Sequence, residues 1–400
     1  MQAHSLYLHI PFCHHRCSYC DFNTYSGMDA IIPDYVQALC QEIRFIARSC
    51  TQRIPIRTIF FGGGTPSIIP RKEFSRIFDT LQLEFDLPQG LEITLEANPG
   101  RLSYEYLKSL RELGINRISL GMQSANPEDL LLLERQHQFE QVAMAVALIR
   151  KAGFENLNLD LIFGIPNQNL ASWQRTLDLG VSLDPDHFSL YALTVERGTP
   201  LGNWVTKGLL SEPDADLSAD MYEWAADILD LQGFEQYEIS NWARRDPSGD
   251  LLVCHHNLQY WRNLPYLGIG AGAHGYSGGI RTANELNPQE YIRKFSSPIE
   301  NSNQEPLSFP RTPATLNGIA INRDEEMKET MMMGLRLTVE GVSRRSFHAR
   351  FGVDLEEIFK NEIVQLINTG LLEWDPQIGD QLRLTPWGRL LGNQVFIHFV

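Results

Sequence analysis

The 400-residue sequence contains no apolar run approaching the roughly 18 residues of a membrane span. It also opens without the basic stretch and apolar core of a secretory signal. Basic residues are in deficit: 34 lysines and arginines face 49 aspartates and glutamates, a net charge of −15. That balance argues against a generic nucleic-acid binder, which would be basic. Low-complexity tracts and short repeats are missing as well. Six cysteines in a chain of this length are ordinary usage for a reducing compartment and do not suggest a disulfide framework. With 43% hydrophobic and 21% charged residues, the chain reads as globular and cytoplasmic, with one large domain and one small one.

Three of the few cysteines are placed together. Cys13, Cys17 and Cys20 lie in Phe-Cys-His-His-Arg-Cys-Ser-Tyr-Cys, directly after a strand-like stretch ending at Ile10. Three thiolates on one tight loop can hold three irons of a [4Fe–4S] cube and leave the fourth open to an outside ligand. A purely electron-carrying cluster normally takes four cysteines, so an open iron suggests that a small molecule binds there. A zinc site is the competing reading. Structural zinc takes four ligands, and His14 or His15 can supply the fourth. Cys40 falls on a helical stripe and reads as a core residue, and Cys50 has no functional context.

From residue 5 to about 192, short apolar strands alternate with amphipathic helical patterns. The predicted strands are 5–10, 57–61, 92–96, 117–121, 156–162 and 187–192. The clearest predicted helix is 34–49, with Val36, Leu39, Cys40, Ile43 and Ala47 on one stripe. Strand-then-helix repetition implies parallel strands with crossover helices. Polar or glycine-rich residues recur where each strand ends: the cysteine loop, the triplet before Thr65, Glu96 and Asn98, Gln123, Asp160 and Tyr191. Barrel sites are built at such ends, so together they predict one site. Beyond residue 196 the pattern loosens, a helix is expected over 214–231, and a Ser-, Pro- and Asn-rich stretch reads as a linker. Helical patterns over 323–338, 343–350 and 354–368, then two short strands at 371–374 and 381–384, predict a small winged-helix-like α+β domain. It is not notably basic, so a packing or partner role is expected rather than DNA binding. The expected division is 1–195 barrel core, 196–300 barrel extension, 301–315 linker and 316–400 C-terminal domain.

Cys-x3-Cys-x-aromatic-Cys, with Tyr19 as the aromatic, resembles the defining loop of the radical S-adenosylmethionine (SAM) superfamily. The resemblance implies an α/β fold built on a partial (β/α)6 barrel, with Cys13, Cys17 and Cys20 ligating a [4Fe–4S] cluster and SAM chelating its open iron. It assigns SAM contacts to Tyr7, Tyr19, Gly63, Gly64, Thr65, Glu96, Gln123, Arg135, Asp160 and Ala192. Among these, Gly63 and Gly64 match the amine-binding loop, and the planar fork of Arg135 suits a carboxylate.

Tyr-x-His-Ile-Pro-Phe-Cys, Gly-Gly-Gly-Thr-Pro and Asp-Leu-Ile-x-Gly-Ile-Pro place the resemblance in the coproporphyrinogen III dehydrogenase-like branch, across nearly the whole chain. Oxygen-independent dehydrogenases carry a further cysteine two residues after the third. Here that position is Phe22, which can neither ligate nor donate a hydrogen atom. The HemW-type haem chaperones carry His-Asn-x-x-Tyr-Trp, and it stands intact as His256, Asn257, Tyr260 and Trp261. Imidazole is a common axial ligand of haem iron, and an aromatic pair can pack on the macrocycle. His255 and Cys254 are adjacent alternative ligands. This resemblance implies a carrier rather than an enzyme, with no catalytic residue. Its cargo is haem, and its acceptors are respiratory-chain haem enzymes or haem-binding ferritins. Homodimerisation and peripheral contact with a membrane are both compatible with it. The alternatives are oxidative decarboxylation of coproporphyrinogen III to protoporphyrinogen IX, or a radical enzyme on some other substrate.

Overall fold

The computed structural model describes residues 2–296, 307–377 and 379–400. By its internal contacts the chain forms two compact units: 1–225 with 265–320, and 226–264 with 321–400. The stretch expected as a single barrel extension is therefore shared between them, because chain that leaves the first unit at Ala225 returns to it at Pro265. Of the expected linker, 301–306 lie outside the described residues, and Thr315 already begins a strand.

In the first unit all six predicted strands form: β1 His4–Ile10, β2 Ile56–Gly63, β3 Glu92–Ala97, β4 Arg117–Gln123, β5 Asn156–Phe163 and β6 His187–Ala192. They pair in chain order and in parallel throughout. Leu6, Leu8, Ile59, Phe61, Leu95, Ile118, Leu120, Leu159 and Phe188 are fully buried along them. Buried residues fill both faces of β1, as parallel strands covered on both sides require. Helices Ile32–Arg48, Arg71–Glu84, Tyr104–Glu112, Phe139–Lys151 and Leu170–Ser182 make the crossovers. Phe139–Lys151 opens with a capping box in which Gln138 and Gln141 exchange side-chain and backbone bonds. This is the partial (β/α)6 barrel expected from the sequence.

Four strands beyond the outer edge of β1 escaped the sequence reading. Tyr266–Ile269 pairs in parallel with the outer edge of β1, and an antiparallel tail of three strands, His274–Ser277, Ile280–Asn284 and Thr315–Ala320, extends from it. Their glycines read as loop, but Gly268 approaches the backbone of His274 so closely that a Cβ would stand 1.9 Å from the carbonyl oxygen. The carboxylate of Glu42, fully buried on the first helix, gathers this tail. It accepts bonds from Gly270 N (2.8 Å), Tyr291 Oη (2.6 Å), Asn284 Nδ2 (2.9 Å) and Thr312 Oγ1 (2.8 Å).

The second unit carries helices Arg323–Gly334, Arg344–Phe351 and Lys360–Asn368, and a three-stranded sheet of Val342–Ser343, Gln381–Leu384 and Leu372–Trp374. Met331, Leu335, Leu355, Leu366, Leu382 and Val395 form its core. The winged-helix-like expectation holds, with Val342–Ser343 as an additional strand. This unit also holds the hairpin Glu235–Glu238 with Asn241–Ala243 and the short helix His255–Trp261.

Candidate functional site: a barrel-mouth cavity and a histidine helix

At the C-terminal ends of the six strands lies a cavity of about 430 Å³. Every strand contributes to its wall: the cysteine loop after β1, Gly63 to Thr65 after β2, Glu96 and Asn98 at β3, Gly121 and Gln123 at β4, Asp160 at β5, and Tyr191 and Ala192 at β6. Cys13, Cys17, Cys20 and Tyr19 share it with Arg135. Nine of the ten residues assigned to SAM by resemblance therefore meet around one space. Tyr7 does not line it; its hydroxyl bonds His9 Nδ1 at 3.0 Å and its ring stacks on Phe60.

The cysteine loop is held by backbone. Tyr25 N donates to Pro11 O, Gly64 N to Ile10 O and Thr65 N to Phe12 O. Each thiol has a neighbouring polar group. Thr65 Oγ1 donates to Cys13 Sγ and Arg135 Nη1 to Cys17 Sγ, both at 3.5 Å, while Cys20 Sγ lies 3.8 Å from Thr24 Oγ1. Burial pushes the Cys13 thiol up to about 11 and raises that of Cys20. Arg135 is pinned by bonds to Asn98 Oδ1 (2.7 Å) and Gly121 O (2.9 Å), yet its buried Nε has no partner among the described residues. His14 lies 3.7 Å from Asp29 and does not line the cavity; His15 does line it and lies 3.7 Å from Glu134. Among the described residues no three His, Cys, Asp or Glu side chains converge as ligands of a single metal ion.

Two backbone features open the space. A Cβ on Gly64 would stand 2.6 Å from Phe12 O and 3.0 Å from Cys13 Sγ, so only glycine lets this turn approach the cysteine loop. Gln123 adopts φ 64°, the left-handed region, where the β4–β5 register shifts. Non-glycine residues rarely accept that conformation, and it occurs preferentially at functional positions.

Of the four carboxylates that line the cavity, Asp21, Glu96, Asp160 and Glu196, two stand on the barrel strands. Burial, then the nearby Asp160, pushes Glu96 up to about 8, against the pull of its bond from Gly63 N at 3.1 Å. Asp160 is likewise raised by burial, opposed by Ser119 Oγ (2.9 Å) and Asn158 Nδ2 (2.8 Å) donating to it. Asn158 is itself held by His187 Nδ1 at 2.6 Å. This supporting layer was missed from sequence, though Ser119, Asn158, His187 and Ser189 recur as polar residues inside apolar strands.

These residues fit a [4Fe–4S] cluster with SAM. Three thiols, each beside a polar group, line a cavity that also holds an unpartnered guanidinium nitrogen and, on its strands, the carboxyl groups of Glu96 and Asp160, suited to an amine or ribose hydroxyls. Such a pair, once bound there and given an electron by an outside reductant, would supply cleavage of SAM to a carbon radical and methionine. The chain's own contribution is to position the ligand and keep water out.

The second candidate group lies in the other unit. Helix His255–Trp261 ends in a Schellman motif: Asn263, at φ 48°, donates its N–H to Tyr260 O and Leu264 N donates to Gln259 O, both at 2.9 Å. Residues four apart share a face, so His256 and Tyr260 stand on one side of the helix, where they touch, and Asn257 and Trp261 share another. His256 is buried, and its Nε2 lies 2.8 Å from Tyr260 Oη. His255 is exposed at the helix start. The guanidinium of Arg336 sits 4.3 Å over the Trp261 ring.

Barrel, cysteine loop and mouth cavity together define the class, and a family model described as Radical SAM superfamily matches residues 7–180. A second, described as the HemN C-terminal domain, matches 321–391. Proteins named heme chaperone HemW from Bacillus subtilis and Lactococcus lactis are 37% and 36% identical to this chain. The first match covers 99% of each chain; the second covers 100% of this chain and 98% of the relative. Among solved structures, the coproporphyrinogen III oxidase HemN of Escherichia coli shares the fold, with TM-score 0.80 at 23% identity over 99% of this chain and 90% of that one. The chain belongs to the HemW family of the radical SAM superfamily. Among the described residues no helix is long and apolar enough to cross a membrane.

Proposed function

We propose that this protein is a cytoplasmic haem chaperone, which binds haem and passes it to haem-dependent acceptor proteins. The observation that carries the reading is the end-to-end likeness to chains named heme chaperone HemW. His256, Asn257, Tyr260 and Trp261 stand on one helix in support. Phe22 adds to it, since it is 63% exposed at the cavity mouth and brings no ligating or hydrogen-donating atom there. Cys13, Cys17 and Cys20 hold the cluster, and Gly63 to Thr65, Glu96, Gln123, Arg135 and Asp160 hold SAM. His256 serves as axial ligand once Tyr260 releases its Nε2. The acceptors are respiratory-chain enzymes or haem-storing ferritins.

The test is an anaerobic haem titration of the cluster-reconstituted protein, followed at the Soret band. Wild type saturates, His256→Ala loses the axial-ligand band, and Tyr260→Phe, which keeps the imidazole and removes its partner, retains it. Coproporphyrinogen III with SAM and a reductant gives no protoporphyrinogen. Turnover together with a Soret titration unaffected by His256→Ala would restore the enzyme reading.

A further inference from the structure

A second cavity, about 390 Å³, lies wholly within the unit formed by 226–264 and 321–400. Trp261, the last residue of the histidine helix, lines it, whereas His256 does not. Leu264, Leu337, Val342 and Phe347 add apolar wall. Three arginines stand around it. Arg262 is paired with Glu340 at 2.6 Å and Arg350 with Glu326 at 2.5 Å. Arg345 is exposed, and among the described residues its guanidinium is paired with no carboxylate. Its backbone N–H is taken by Asp380, which fixes the start of its helix while leaving the side chain to the rim.

The cavity's two lining carboxylates are already engaged, Glu340 by Arg262 and Asp380 by Ser343 Oγ and the Arg345 N–H, so its apolar and aromatic wall and guanidinium edge suit a flat, apolar ring bearing carboxylates. Rings stack on indole, and guanidinium forks match carboxylates. Arg336 already covers part of the Trp261 ring, which fixes the indole plane rather than leaving it to turn.

We propose that this cavity docks the porphyrin itself, its ring against Trp261 and its carboxylates at Arg345, independently of any bond from protein to iron. The proposal rests on the haem reading and goes beyond it. The ligand class becomes a porphyrin dicarboxylate, with or without metal, and recognition of the ring is separated from ligation of the iron by His256.

The experiment uses the full-length protein and two probes, haemin and metal-free protoporphyrin IX, at two salt concentrations. Wild type binds both, more weakly at high salt because the carboxylate contact is exposed. Arg345→Glu weakens both by on the order of tenfold, the size of a reversed charge pair at a rim. Ser346→Trp, which fills the cavity from an exposed position, weakens both as well. Both substitutions are on the surface, so circular dichroism and the melting temperature stay unchanged. His256→Ala lowers haemin binding but leaves protoporphyrin IX. If Arg345→Glu and Ser346→Trp leave both affinities intact while His256→Ala abolishes haemin binding, the chaperone reading stands and this cavity is not the docking site. If wild type binds haemin but not protoporphyrin IX, docking without iron is overturned. Loss of all haemin binding in wild type removes both.

Discussion

At the scale of single residues, Gln123 separates stability from binding. Its left-handed backbone costs on the order of 1–3 kcal/mol and persists only because the surrounding strands fix it. Glycine accepts that conformation without strain but loses more entropy on folding. Gln123→Gly is therefore expected to gain about 1 kcal/mol of stability while SAM binds several-fold more weakly. Chemical denaturation and equilibrium dialysis read the two effects, and a variant both less stable and fully SAM-competent would contradict the assignment. That Cys13, Cys17 and Cys20 stand together was legible from residue type and spacing, whereas Arg135 was singled out only through the family resemblance; the structure brings all four to one cavity. The support under Asp160 was not legible, since serine and asparagine inside a strand look like neutral substitutions until the neighbouring strand aligns them.

At the scale of elements, the six barrel strands were legible from apolar runs and punctuating turns, to within a residue or two at each end. Tyr266–Ile269 was not, because its one glycine, Gly268, is demanded by close contact with the next strand rather than by a turn, and sequence alone does not tell these apart. The turn after β2 is the more consequential use of glycine. With Phe12 O 2.6 Å from where a Cβ would stand, Gly64→Ala must push the turn off the cysteine loop. Anaerobic reconstitution of that variant is expected to leave well under half the wild-type iron and sulfide, with the fold kept. Full loading would mean that the loop moves freely. Gly90, whose Cβ would meet nothing within 4 Å, gives the control, although its positive φ carries its own strain.

At the scale of the molecule, the excess of acid makes pH a probe of the second unit. Burial lifts Glu238 to about 7, against the opposing pull of Arg336. A carboxyl that holds its proton more tightly when folded stabilises the fold at low pH. That advantage is lost as pH rises from about 4.5 through about 7, where the folded form must ionise in place. Melting temperature should therefore fall across this window. Glu238→Gln should flatten the slope and gain up to about 3 kcal/mol at pH 8. An unchanged slope would mean that Arg336 neutralises the charge. The two-unit division was only half legible, because sequence shows where patterns change and not where a chain returns.

That return bears on how the protein is made. Glu42 emerges from the ribosome early, yet its partners lie 228 to 270 residues downstream. At about 5–20 residues per second, the first helix waits many seconds with an unsatisfied carboxylate and an unclaimed edge on β1. Only after the segment carrying His256 has been synthesised can Tyr266–Ile269 cover that edge. The earliest-made strand thus has its outer edge covered last, and a nascent chain stalled before residue 265 is the form most exposed to mispairing and to proteases.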